Sequence, residues 1–177
     1  GAPDRGVHRG PGPATGTGEV RHGPGSVPHS FHNTTQNRAY LYRIRQAFGD
    51  LPVVVEFRGR DWITQEVFDW LQGINYGFCN VDQPRFESLV PPTGVVTGPV
   101  AYVRFHGRNY EKWWRHDEAW ERYDYNYSEE ELSEWVPKIE GMDDEAPLTL
   151  VYMNNHWQGQ AGTTARKMRR LLQETEE

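Results

Sequence analysis

From Pro28 onward, short apolar runs alternate with stretches in which apolar residues recur every three or four positions. The first such stretch places Tyr40, Leu41, Ile44 and Phe48 on one face, with Asn33 or Thr34 as N-cap and Gly49 as the stop, and predicts a helix ending near Phe48. Residues 51–58 form a β-branched run that predicts a buried strand. Thr64 caps a second predicted helix, whose buried stripe is Val67, Phe68 and Leu71 before Gly73. Residues 76–82 and 100–106 read as two further strands, separated by a proline-rich loop. Ser128 and Glu131 make a capping box ahead of Leu132, Trp135 and Ile139, in a helix that Pro137 should kink or end early. Residues 148–155 predict a fourth strand, and Ala165, Met168, Leu171 and Leu172 mark the apolar stripe of a last helix.

No hairpin signal separates these strands, so the alternation implies an α/β fold with parallel strands and crossover connections, as a barrel or an open doubly wound sheet. Alternate residues of a strand share a face. By that parity Glu56 and Arg58 lie together, as do Phe78, Asn80 and Asp82, then Tyr102, Arg104 and His106, then Leu150, Tyr152 and Asn154. The opposite faces are apolar: Val53, Val55 and Phe57; Cys79 and Val81; Ala101, Val103 and Phe105; Val151 and Met153. The simplest assembly turns all polar faces to one side, with Cys79 in the core as a structural thiol. Burying charges costs several kcal/mol per ion, so a polar layer toward the strands' C-terminal ends points to chemistry there. Glu56, Asp82 and His106 are the proton-transfer candidates, His106 because imidazole titrates near neutral pH. Arg58, Arg104, Arg108, Asn154 and Asn155 are the ligand-binding candidates. The same carboxylates and imidazole could hold a divalent cation, but guanidinium groups among them repel one and favour an oxyanion. The expected ligand is therefore a polar or anionic small molecule, with no metal and no cofactor. The aromatic segment from Tyr110 through Trp114, Trp120 and Tyr123 reads as loop packing over the rim ahead of a stacking wall. Arg166, Lys167, Arg169 and Arg170 read as the wet face of the last helix.

Composition narrows this further. A net charge of −6 disfavours a nucleic-acid binder, and the single cysteine fits a reducing compartment, so a cytoplasmic protein is expected. No run approaches the roughly 18 apolar residues of a membrane span. Residues 1–27 contain no Leu, Ile, Met or aromatic residue and are dense in Gly and Pro. Such a segment buries too little to offset its ordering entropy and is expected to lie outside the fold, as a disordered leader.

The strand ends carry a more specific signal. Val-Val-Val-Glu-Phe-Arg58 followed by Trp62, then Asn80-Val-Asp82, Tyr102-Val-Arg-Phe-His-Gly-Arg-Asn109, the run at 123–132 and Tyr152-Met-Asn-Asn155 resemble the YecE-like family, also called domain of unknown function 72. The resemblance spans residues 28–177 and implies a TIM-type barrel in which these are strands five to eight. It thus implies an incomplete barrel of about four β/α units, since a whole one needs roughly 250 residues. It brings no settled activity. If the full-length protein is an enzyme, acid/base chemistry on a polar or anionic small molecule is expected; the alternatives are a ligand-binding or scaffold protein, or an inactive truncated product. The family also carries a strand ending Gln-Phe-Pro just before the position of Pro28. Here Arg-His-Gly-Pro-Gly-Ser-Val27 stands there and is not expected to form a strand. Codons able to encode those residues read Gly-Thr-Val-Leu-Val-Gln-Phe when shifted by one base, so residues 1–27 are also readable as an out-of-frame translation.

Overall fold

The computed structural model describes residues 25–174. Five strands form one sheet: β1 (Gly25–Ser26), β2 (Val54–Glu56), β3 (Gly77–Asp82), β4 (Val100–Phe105) and β5 (Leu148–Met153). Their spatial order follows the chain and every neighbouring pair is parallel. The order never reverses, so the sheet lacks the switch point of a doubly wound fold. Helix α1 (Thr35–Ala47) precedes β2, α2 (Gln65–Gly73) precedes β3, α3 (Glu129–Ser133) and α4 (Val136–Glu145) precede β5, and α5 (Gln160–Glu174) closes the described chain. Among the described residues no helix is long and apolar enough to cross a membrane.

The predicted caps form. The Thr34 and Thr64 hydroxyls accept the N–H of Asn37 and Val67, each at 3.2 Å. Ser128 and Glu131 close the reciprocal capping box at the start of α3. Of the two outcomes expected at Pro137, the early end is the one found: α3 stops at Ser133 and α4 starts at Val136, with proline in its first turn, where no N–H is needed. The alternation of strand and helix also breaks once. The β3–β4 crossover, residues 83–99, contains no helix, and Asn80 holds it to the sheet. The Asn80 Oδ1 accepts from Thr93 Oγ1 (2.7 Å) and the Val95 N–H (2.9 Å), while its Nδ2 donates to the Val95 carbonyl (2.9 Å).

One sheet face packs against the helices. Val55 and Phe57 join Leu41, Val67 and Leu71 in one buried cluster, and Phe57, Trp62 and Phe31 stack with centroid spacings of 4.2 and 5.7 Å. Ala101, Val103 and Phe105 meet Leu132, Trp135, Ile139, Met142 and Met168 in a second. Burying each large apolar side chain contributes about 1.5–3 kcal/mol.

The structure corrects two expectations. First, the sheet begins inside the segment assigned to the leader: Gly25 and Ser26 pair with Val55 and Glu56, and the Val27 N–H reaches the Glu56 carbonyl at 3.1 Å. Two residues can extend a sheet edge through backbone hydrogen bonds whatever their side-chain propensity. Residues 1–24, where the rest of the leader expectation falls, lie outside the described residues. Second, β3 is turned over relative to the expected parity. Cys79 pairs with Tyr102 and Val81 with Arg104, so Cys79 and Val81 share the face of Arg104. Asn80 and Asp82 pair with Val103 and Phe105 and face the helices. Register with neighbouring strands, not polarity, decides the face of a strand.

Candidate functional site

At the C-terminal ends of β2, β4 and β5, on the face away from the helices, four side chains close a ring. Arg104 donates through Nη1 to Glu56 Oε2 (3.0 Å) and through Nη2 to Asn154 Oδ1 (3.1 Å). With its oxygen committed to the guanidinium, the Asn154 amide turns Nδ2 toward His106 Nδ1, 3.0 Å away. Nδ1 therefore accepts, and the imidazole proton sits on Nε2, 3.3 Å from Glu56 Oε1. That last approach is bent, and Nε2 has no well-formed hydrogen bond among the described residues. Ser26 Oγ donates to Glu56 Oε1 at 3.3 Å, Arg58 Nη2 reaches Ser26 Oγ at 3.3 Å, and the Cys79 thiol lies 3.8 Å from Glu56 Oε2.

Burial opposes the charge on Glu56, but the close approach of His106 and the charges of Arg104 and Arg58 outweigh it and hold the carboxyl down to about 2. Burial also pushes His106 below its ordinary value, against the pull of Glu56. Near neutral pH the pair is a carboxylate facing a neutral imidazole. Burial, reinforced by the Glu56 charge, raises the Cys79 thiol well above its usual range, which suits a resting thiol better than a nucleophile.

Asp82, Arg108 and Asn155 are not part of this ring. Asp82 is buried on the helix side, where it accepts from Arg108 Nη2 (2.7 Å), Tyr127 Oη (2.5 Å) and Trp135 Nε1 (2.7 Å). Arg108 also reaches Glu134 at 3.2 Å and Glu131 at 3.6 Å. Burial works against its charge, yet its bonds to Asp82 and Glu134 raise its pKa. Asn155 is buried and donates to the Tyr125 carbonyl and to Thr164 Oγ1, both at 2.9 Å. Of the predicted residues, Glu56, Arg58, Arg104, His106 and Asn154 therefore come together, while Asp82, Arg108 and Asn155 fasten the loop after β4 and the helices to the sheet. The turn that launches this loop depends on Gly107, with φ +96°, where an added Cβ would lie 2.7 Å from Tyr125 Cβ. Gly107→Ala is expected to lower the unfolding free energy by about 1–3 kcal/mol; an unchanged urea midpoint would contradict this reading of the turn.

Above the ring lies a cleft of about 510 Å³, lined by Ser26, Val27, Pro28, His29, Arg58, Leu89, Trp113, Trp114 and Arg122. Sequence reasoning missed Ser26, which fell in the presumed leader, and Arg122, which no motif marked. It also read Trp135 as part of an apolar helix stripe and gave Tyr127 no role, since neither shows from sequence that its polar atom meets Asp82. Among the described residues no group of three or more His, Cys, Asp or Glu side chains is placed to hold a metal ion.

Fold and site together define an α/β protein with a charged ring and a cleft at the C-terminal ends of parallel strands. The chain belongs to the family described as protein of unknown function DUF72, which matches residues 26–177. It is 29% identical over 155 residues to the UPF0759 protein YunF of Bacillus subtilis (strain 168), covering 82% of this chain and 55% of that protein. A crystal structure of a DUF72 family protein from Thermotoga maritima MSB8 superposes with a TM-score of 0.78 at 35% identity, over 84% of this chain and 56% of the other. One from Enterococcus faecalis V583 gives 0.76 at 29% identity, over 84% and 57%. The chain thus spans little more than half the length of these relatives.

Proposed function

We propose that residues 25–174 are the C-terminal part of a TIM-type barrel and that its mouth binds a polar or anionic small molecule. Chain-ordered parallel strands support the barrel, as does the greater length of the relatives. So does the ring-bearing sheet face, where Leu148 and Tyr152 are 49% and 46% exposed although barrel interiors are packed.

The observation that carries the binding role is the closed ring. It spends the His106 Nδ1 lone pair on Asn154 and keeps Glu56 ionised, so neither group is poised to exchange a proton near neutral pH. One carboxylate meanwhile faces two guanidiniums, Arg58 and Arg104, with 21% and 25% of their side chains exposed. The excess positive charge favours an oxyanion. Acid/base catalysis is the second reading, favoured by the poorly bonded His106 Nε2 beside Glu56. It requires the ring to open when substrate arrives.

A calorimetric screen of small carboxylates, phosphates and neutral polyols against the full chain tests the binding role. Anions are expected to bind and polyols to bind weakly, with Arg58→Gln weakening the anions about tenfold or more, as for loss of a charge-assisted hydrogen bond. Equal binding of anions and polyols, or indifference to Arg58→Gln, would rule the reading out.

A further inference from the structure

The cleft beside the ring has a chemistry of its own. Its nine lining residues include two arginines and a histidine and no carboxylate. Arg122 lies with its guanidinium carbon 5.4 Å from the Trp113 ring centroid, and its Nη2 is 3.3 Å from His116 Nε2. Its Nε is buried and has no hydrogen-bond partner among the described residues. Arg58, on the opposite chain segment, engages Ser26 and Glu56 through Nη2, which leaves its other N–H groups without a partner among the described residues.

Two under-engaged guanidiniums in one cleft call for a ligand with at least two negative charges and several acceptor oxygens, which a phosphate monoester supplies and a single carboxylate does not. Apart from Ser26, the rest of the wall is apolar: Val27, Pro28, Leu89, Trp113 and Trp114. Trp114 is 52% exposed and is braced edge-on by His29, centroids 5.8 Å apart. A volume of about 510 Å³ falls in the range of small-molecule sites and far exceeds a bare phosphate.

We propose that this cleft binds a phosphate monoester of a ring-bearing small molecule, the phosphate between Arg58 and Arg122 and the ring against the Trp113–Trp114 wall. The proposal rests on the anion-binding reading of the mouth and assigns its ligand class. Phenyl phosphate, inorganic phosphate, benzoate and benzyl alcohol, titrated separately into the full chain by calorimetry, test it. Phenyl phosphate is expected to bind at least tenfold more tightly than inorganic phosphate, and benzyl alcohol not to saturate. Arg122→Gln should weaken phenyl phosphate at least tenfold, and Trp114→Ala should weaken phenyl phosphate while sparing inorganic phosphate. Arg122→Lys, which keeps the cation but loses the planar fork, should fall between wild type and Arg122→Gln with an unchanged melt, separating lost recognition from lost folding. Phenyl phosphate binding unaffected by Arg122→Gln would overturn the proposal, as would benzyl alcohol binding as well as phenyl phosphate. Benzoate binding that is lost in Arg58→Gln but indifferent to Arg122→Gln would overturn it while leaving the broader anion site standing. Absence of binding by every anion would remove both.

Discussion

Asp82→Ala is expected to destabilise the fold by about 3–5 kcal/mol, more than the loss of any residue of the ring. The residue is 1% exposed and its carboxylate accepts three kinds of donor at once, from Arg108, Tyr127 and Trp135. Alanine would leave the buried Arg108 guanidinium with only Glu134 and Glu131 to face, and would strand a buried phenol and a buried indole N–H. Removing one partner of a buried pair costs far more than the pair's net worth, because the other charge stays behind. Tyr127 Oη also accepts the Gly107 N–H at 2.9 Å, so the loss would reach the turn that opens the β4 loop. Urea unfolding of Asp82→Ala against wild type measures the effect. A variant that unfolds like wild type would show that Asp82 anchors nothing, and would restore the reading that set it beside Glu56 as a proton-transfer group.

Acidification is expected to weaken the fold in two stages, both from the ring. The His106 pKa is lowered in the folded state, so its contribution is complete above the ordinary value of 6.5 and is lost as pH falls toward its depressed value, where the unfolded chain binds the proton first. Glu56 behaves likewise at lower pH: its contribution is complete above 4.5 and is lost as pH falls through about 2. The separation of 4.5 from about 2 corresponds to on the order of 3 kcal/mol at about 1.36 kcal/mol per pH unit. The stability difference between wild type and Glu56→Gln should therefore shrink by that order between pH 4.5 and 2. A parallel shrinkage between wild type and His106→Gln should begin below pH 6.5. Unfolding free energies by urea at half-unit steps read both. A wild-type-minus-variant difference that stays flat below pH 4.5 would show that the ring does not hold Glu56 ionised.

Much of the fold is legible in the chain because its determinants are local. Thr34, Thr64 and Ser128 cap helices through their own hydroxyls and backbone a few residues away. The apolar runs at 53–55 and 100–103 mark strands by their own composition, and most of their residues are buried. Parity within each strand is also visible: Asn80 and Asp82 do share a face, as do Tyr102 and Arg104. What parity within one strand lacks is a reference to the next. The assumption that polar faces gather on one side fails at β3, whose Asp82 turns under the helices to bind Arg108 and Tyr127 from the loop after β4 and Trp135 from the start of α4.

The same distinction divides the site. From sequence alone came the residue types at the strand ends, the predominance of arginine that favours an anion over a cation, and the placement of Glu56, Arg58, Arg104, His106 and Asn154 on one side. Tertiary structure decided that these five meet while Asp82, Arg108 and Asn155 do not, that Ser26 joins them, and that Arg122 reaches the same cleft across a long loop. The reason is range. Capping and alternation act over a few residues, whereas the inter-strand register and loop packing that bring Glu56 to Arg104, or Asp82 to Trp135, act between residues 48 and 53 positions apart.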